Sequence, residues 1–546
     1  MRTFASVDTF VESTASSLRL GRLVANATFL ESLLREGRFD RHVLFCPTEA
    51  ERTKLQDFLR GRPDGERLLG LCDLRPLWDL PRALREETFS VLHCGGWSRY
   101  LPPLAWLRAK HSPRPVPLTG LIHSINGPDQ AVQIRRLVES PLRTCDAIFC
   151  TSTEGRTAFA NQIARVEERH GLAFQGTLRH VPLGVDERYF QVPDKAQARL
   201  RQSIAPHRVV ALWIGRLSPA SKADLVPLLY QWRLLVDQLD LATLSPLLVL
   251  AGGASASDEL ALRTTIQELQ LGDSVRLLRD IEDAAKLDLL AAADLFVSPI
   301  DNHQETFGIA VVEAMAAGLP VVCSDWDGYR DLVEHEVHGL RVPVFVERPV
   351  PEAIEMRGLL EPDLAQLSVS QSVSVDPSGL REALAFLMRE PAIRSRLGQA
   401  ARQRARERFS WSAVLEQADL AWKDLAEQAR DLPWPPASAE NPEILDPHDV
   451  FANYPTGQFP SDLPLRVSKL GEMVLTGKVP MPATWQDLVP ISDGGLMTTL
   501  VVDLRGKTAS YADLATHAAN KCRKSLPEAR AMLAWLLKYG ILEEHS

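Results

Sequence analysis

Cysteine is scarce and falls in no pairing pattern: there are seven among 546 residues, an odd number, with no Cys-x-x-Cys spacing. Cys46, Cys72, Cys94, Cys145, Cys150, Cys323 and Cys522 therefore point to neither a disulfide framework nor a structural zinc site. Runs such as Ala147-Ile-Phe-Cys150 and Val321-Val-Cys323 are the setting of buried free thiols in a reducing compartment. A surplus of positive charge is also missing. The net charge is −9, which excludes the general basic footprint of a nucleic-acid or anionic-membrane binder. No stretch approaches the roughly 18 apolar residues of a membrane span. The opening, Met1-Arg-Thr-Phe-Ala-Ser-Val-Asp8, places an acid early and lacks the long apolar core of a signal peptide. Repeats of solenoid period are absent. A cytoplasmic protein is the expectation, and 45% hydrophobic with 24% charged residues is an ordinary globular composition.

What is present is length and rhythm. A chain of 546 residues exceeds one hydrophobic core, so two or three domains are expected. From about residue 40, β-rich runs alternate with helical spacing. Val43-Leu-Phe-Cys46, Val91-Leu-His93, Leu118-Thr-Gly-Leu-Ile-His123 and Ala147-Ile-Phe-Cys-Thr151 read as buried parallel strands. After Pro182-Leu-Gly-Val-Asp186 the rhythm restarts with Val209–Ile214, Leu247–Ala251, Val275–Leu278, Leu295–Val297 and Pro320–Cys323. The pattern predicts an α/β protein of two Rossmann-like, doubly wound domains, residues 1–190 and 191–430, facing a cleft. Residues 345–376 read as an insertion or long loop, and helices run from Leu380 to about Ala429. A proline-rich linker, 431–465, with Leu432-Pro-Trp-Pro-Pro-Ala437, leads to a small, mainly helical domain over 466–546.

The chemistry concentrates between Asp294 and Asp325. Strand Leu295-Phe-Val-Ser-Pro299 runs into the loop Ile300-Asp-Asn-His-Gln-Glu305, and a helix follows from about Gly308 to Ala317, stopped by Gly318 and Pro320. Thr306 is a candidate cap. Gly308 lets a ligand approach the first-turn amides, where the helix dipole attracts phosphate. Glu305 falls beside that phosphate position, and Glu313 lies one to two turns inside the helix, so two carboxylates address opposite ends of a nucleotide sugar. A second element, Trp213-Ile-Gly-Arg216-Leu-Ser-Pro-Ala-Ser-Lys222, follows the first strand of the second domain. Arg216 and Lys222 there can stabilise a departing diphosphate without a metal.

These two elements, Gly-Arg-Leu followed by a lysine and Glu305-x7-Glu313 ahead of Ala-Met-Ala-Ala-Gly-Leu-Pro-Val-Val, resemble the family-4 retaining glycosyltransferases of GT-B fold. The resemblance spans roughly residues 40–425 and is sharp between about 210 and 340. It implies a nucleotide-diphosphate-sugar donor, retention of configuration and no cofactor or obligatory metal. Carried over by position, Glu305 and His123 face the transferred sugar, Gly308 and Ile309 offer amides to phosphate, Arg216 and Lys222 clamp the diphosphate, and Glu313 meets the ribose. Two departures stand out. Lys222 falls six residues after Arg216, where many relatives have five. The glycine pair after the family's first strand has no evident counterpart, Ser16-Ser-Leu-Arg-Leu-Gly21-Arg-Leu-Val24 offering one glycine and two arginines instead. The acceptor, a glycan as in polysaccharide biosynthesis, a lipid-linked sugar or a protein, stays open. So do two other uses of the fold: a nucleotide-sugar epimerase, and a non-catalytic nucleotide-sugar-binding protein with an interaction tail.

Three further segments carry weaker signals. Trp97-Ser-Arg-Tyr-Leu-Pro-Pro-Leu-Ala-Trp106-Leu-Arg-Ala-Lys-His111 mixes aromatic and basic residues; a core-packing connection plus a short helix is favoured over peripheral contact with the inner membrane face. The cationic stretch Ala400–Arg408 reads as a solvated helix face. In the tail, Leu500-Val-Val-Asp-Leu-Arg-Gly-Lys-Thr508 suggests a strand and turn, and Ser510 and Pro527 open helices. The tail resembles small winged-helix-like modules, including those that bind peptides in peptide-modifying systems. Its charge balance does not indicate nucleic acid, leaving protein docking through 466–546 and a structural cap as the two readings.

Overall fold

The computed structural model describes residues 1–11, 21–238, 244–434, 440–482 and 494–545. The chain divides into two compact units, Met1–Leu44 with Lys54–Asp73 and Leu84–Ala439, and Phe45–Thr53 with Leu74–Ala83 and Glu440–Ser546. No described helix is long and apolar enough to cross a membrane.

Two sheets dominate. The first has seven strands: β1 (Thr3–Ser6), β2 (Arg41–Cys46), β3 (Cys72–Pro76), β4 (Val91–Cys94), β5 (Leu118–Leu121), β6 (Ala147–Cys150) and β7 (Thr177–His180), in the order β3-β2-β1-β4-β5-β6-β7. The second has six: β8 (Arg208–Ile214), β9 (Ser245–Gly252), β10 (Val275–Arg279), β11 (Leu295–Ser298), β12 (Val321–Ser324) and β13 (Gly339–Val342), in the order β10-β9-β8-β11-β12-β13. Strand order therefore reverses beside β1 in one sheet and beside β8 in the other. Loops leaving the two strands at such a reversal diverge to opposite faces and open a crevice at the carboxyl edge. The rhythm expected from about residue 40 begins at residue 3. Strand β1 is four residues long and starts on a threonine, too short to stand out by hydrophobicity, yet all four residues are buried.

Four sequence expectations are corrected. The segment 345–376 is not a plain loop. Strands β14 (Val344–Val346) and β15 (Val373–Val375) pair antiparallel around the helices Pro351–Glu355 and Pro362–Ser370, each opened by a proline at a first-turn position where its missing N–H costs nothing. Trp97–His111 is one helix from its first residue, with Pro102 and Pro103 inside it and Trp97, Leu101, Leu104, Ala105 and Arg108 buried. The cationic stretch is not simply a solvated face. The Arg404 guanidinium donates to the Asp331 carbonyl at 2.6 Å and Arg402 to the Phe190 carbonyl, leaving Arg406 and Arg408 exposed. Finally, Leu500 to Leu504 is helical, in the helix Gly494–Leu504, because Met497, Leu500, Val501 and Leu504 recur at helical spacing and are all buried.

After the helix Pro391–Arg404 and a π turn, Ala405–Phe409, the chain enters the long helix Trp411–Asp431, capped by Ser410. This helix returns to the first sheet. The Val185 amide donates to the Phe409 carbonyl at 2.7 Å, and Arg2 meets Asp419 at 2.6 Å. Trp422, 1% exposed, lies among the rings of Phe4, Phe29, Phe39, His93 and Phe149, and its Nε1 donates to Thr119 Oγ1 at 3.2 Å.

In the second unit, β16 (Pro464–Val467) is flanked by β17 (Ala509–Ser510) and β18 (Leu542–Glu544), both antiparallel to it. Strand β16 thus begins inside the stretch read as linker, part of which, Pro435 to Ala439, lies outside the described residues. Helices Lys469–Leu475, Gly494–Leu504, Tyr511–Cys522 and Leu526–Lys538 enclose a core of Leu465, Met497, Leu514, Met532, Leu533 and Leu536. Ser525 and Glu528 form a capping box at the last helix.

Candidate active site

Strand β8 is followed by Gly215-Arg216, and this turn is locked to the one after β9. The Gly215 amide donates to the Ala251 carbonyl at 3.1 Å and the Leu217 amide to that of Gly253 at 2.8 Å. Gly252 has φ +155°, and a Cβ there would stand 1.7 Å from the Gly215 carbonyl oxygen. Only glycine fits. The Arg216 guanidinium donates to the Ser221 carbonyl at 2.7 Å, closing the loop that delivers Lys222; burial lowers its pKa, opposed by Glu305 and Asp363.

On the neighbouring strand β11, the loop to Glu305 is held from below. Asn302 Nδ2 donates to the Ala220 carbonyl at 2.8 Å, Ser324 Oγ to that of Ile300 at 2.7 Å, and the Asp224 amide to Asp301 Oδ1 at 3.1 Å. Glu305 itself is ion-paired with Lys222, and its Oε1 accepts from the amides of Thr306 and Phe307 at 3.3 Å each. Burial alone would raise the carboxyl; the charge and hydrogen bond of Lys222 and those two amides outweigh it and hold Glu305 below the usual carboxylate range. Asp327 behaves oppositely, burial and the neighbouring Glu305 charge pushing it well above that range.

The helix after the loop is Ile309–Ala316, with Gly308 as its N-cap at φ +104°. A Cβ at Gly308 would come within 2.3 Å of Tyr329 Cε1. Thr306 is not the cap expected: its Oγ1 donates to the His123 carbonyl at 2.8 Å, the hydroxyl being drawn to the facing domain. Glu313, one turn in, is 2% exposed and lies 2.6 Å from Lys286 Nζ, on the helix Asp283–Ala292.

The first domain supplies the opposite wall. His123 follows β5, and its Nε2 meets the Gly95 carbonyl at 2.5 Å. Ser152 Oγ, after β6, donates to the Thr306 carbonyl at 2.7 Å. The helical arm 351–370 reaches across to the same wall: Arg357 donates to the Asn126 carbonyl at 3.0 Å and side-chain oxygen at 2.9 Å, and Asn126 Nδ2 donates to Gln366 Oε1 at 2.5 Å. His123, Arg216, Lys222, Glu305, Gly308, Ile309 and Glu313 all line one cavity of about 390 Å³. Sequence reasoning missed Lys286, Tyr189 and the arm. The Gly252-Gly253 pair at the end of β9 was a signal that could have marked the floor. The segment Ser16 to Leu20, weighed as a counterpart of the family's glycine loop, lies outside the described residues.

Residues 195–354 match the family model described as Glycosyl transferases group 1. The matched stretch contains the loops of Arg216 and Lys222 and the Glu305 segment, and ends within the arm's first helix. Among curated proteins, the chain is 30% identical over 239 residues to the D-inositol 3-phosphate glycosyltransferase of Kineococcus radiotolerans, covering 43% of this chain and 49% of that one. The chain thus spans about half the length of this relative. Among solved structures, a glycosyltransferase from Rickettsia africae superposes with a TM-score of 0.53 at 12% identity, covering 78% of this chain and 98% of that one. Anabaena HepE, in complex with UDP and glucose, does so with a TM-score of 0.51 at 16% identity, covering 78% and 100%. At these identities the likeness is one of fold: two Rossmann-like domains facing a cleft, the GT-B arrangement.

Proposed function

We propose that the protein is a retaining glycosyltransferase that moves a sugar from a nucleotide-diphosphate donor to a glycan, lipid-linked or protein acceptor. One observation carries this. At the strand-order reversal of the second sheet, a single cavity holds the Gly308 helix start between two Lys–Glu pairs, Lys222–Glu305 and Lys286–Glu313. The helix start takes the diphosphate on the amides of Gly308 and Ile309. Arg216 and Lys222 neutralise the charge that grows on the leaving group, so the site needs no metal for that step. Glu305, kept ionised, accepts from hydroxyls of the transferred sugar, while Glu313 takes the ribose. His123 faces the sugar from the first domain. As the diphosphate arrives, Lys222 is shared between it and Glu305, coupling donor binding to the freeing of the sugar-binding carboxylate. The acceptor then attacks the face from which the diphosphate departs, and no covalent sugar–enzyme bond is required.

Incubation with a panel of labelled nucleotide sugars tests this. Transfer or slow hydrolysis is expected; an isomerised donor would indicate an epimerase, and binding without turnover a sensor. Glu305→Gln should lower turnover by about a hundredfold or more in a protein that still folds, and wild-type-like transfer by that variant would sink the assignment. The winged-helix-like tail is proposed to present the acceptor. Deleting residues 440–546 should leave donor hydrolysis intact while transfer is lost.

A further inference from the structure

No motif in the sequence marks the second ion pair of the cavity, and its chemistry is more specific than a generic surface contact. Lys286 projects from the helix Asp283–Ala292 into the cavity wall. Its Nζ stands 2.6 Å from Glu313 Oε2 and 5.1 Å from the centre of the Tyr189 ring. Arg188 in turn donates to the Tyr189 hydroxyl at 3.4 Å and meets Asp283 at 3.4 Å. Glu313 is 2% exposed, and a buried carboxylate is held in one orientation by the cation it is paired with. Lysine is a point-charge donor on a flexible stem, but here the stem is packed: the Lys286 side chain is 20% exposed.

We propose that Lys286 is a positioning residue that anchors one oxygen of Glu313 and so presents the carboxylate to the paired hydroxyls of the donor's ribose, making the site choose ribonucleotides over 2′-deoxyribonucleotides. This rests on the donor-site reading above. A fixed carboxylate accepts from two vicinal hydroxyls, and a deoxyribose leaves part of that acceptor capacity unpaired in a buried place, the situation in which a polar site discriminates strongly. With Lys286 removed, the carboxylate is free to turn, and the second hydroxyl loses its advantage.

Calorimetric titration of the full chain with UDP, GDP and ADP, then with the 2′-deoxy counterpart of whichever binds tightest, tests the idea. The wild type should favour the ribonucleotide tenfold or more. Lys286→Met should weaken the ribonucleotide about tenfold while moving the deoxyribonucleotide less than threefold, and Lys286→Arg should restore the preference. In turnover, the donor KM should rise with kcat nearly constant. Equal weakening of both nucleotides, or no change in their ratio, overturns the proposal while leaving the donor site standing. Failure of every diphosphate to bind the wild type overturns the donor site itself, and this inference with it. Should Lys286→Met fail to fold, Lys286→Gln makes the same comparison.

Discussion

Asp301 lies in the loop that carries Glu305, 8% exposed, and accepts from the Asp224 amide at 3.1 Å. Burial pushes its carboxyl up to about 7; the Asp224 amide opposes the shift and the Asp224 charge adds to it. Below about pH 4 the acid is protonated folded or unfolded, and its contribution to stability is fully present. Between about pH 4 and 7 the unfolded chain ionises while the folded protein resists, so stability is lost as pH rises and levels off above 7. Asp301→Asn keeps a carbonyl oxygen for the Asp224 amide. Melting curves of the two proteins should coincide near pH 4 and separate at pH 8, the variant being more stable by up to about 4 kcal/mol. Residues of this kind are not legible from spacing. Asp301 looks like any loop acid, and Lys286 like any helix-surface lysine, until a neighbouring helix is laid beside it. Glu305 and Arg216 were legible because each follows a strand at the point where the doubly wound order opens.

The elements themselves were easier to read where burial is two-sided. In β8, Val209 to Ile214 are all buried, so the strand is an unbroken apolar run. Reading failed where apolar content and period disagree: Leu500-Val-Val-Asp-Leu504 has the composition of a strand but the buried spacing of a helix. It failed again at 345–376, where prolines that open helices resemble prolines that prevent them. Inside the first domain, β5 and β6 are joined by a group whose role no periodicity reveals. Arg108, fully buried, meets Asp146 through paired contacts of 2.5 and 2.8 Å, and Asp146 also accepts from the Leu118 amide at 2.8 Å and the Arg143 amide at 2.7 Å. Asp146→Ala should cost about 3–5 kcal/mol, because the guanidinium keeps the Val116 and Pro141 carbonyls but is left in the core without a counter-charge. Denaturant titration would register it as a lower midpoint with an unchanged slope. Similar stability in the two proteins would mean that water replaces the carboxylate.

Across the whole first unit, the arm 351–370 ties the second domain to the loop that follows His123 through Asn126. Asn126→Ala removes the two side-chain bonds, to Arg357 and to Gln366, at a cost of roughly 1 kcal/mol each and keeps the carbonyl, and its effect should be felt in water exclusion. Donor hydrolysis relative to transfer is expected to rise several-fold. An unchanged ratio would reduce the arm to a structural brace. The crossover helix has a different reach. Trp422 completes the aromatic core beneath Thr119, a partner 303 residues earlier in the chain. Ribosomes add about 5–20 residues per second, so that core waits roughly 15–60 s for its last ring while the second domain is being made. During that interval the first sheet presents an unfilled apolar slot to the cell, and a nascent chain of this design calls for a holding chaperone or for slow, late consolidation of the domain that emerges first.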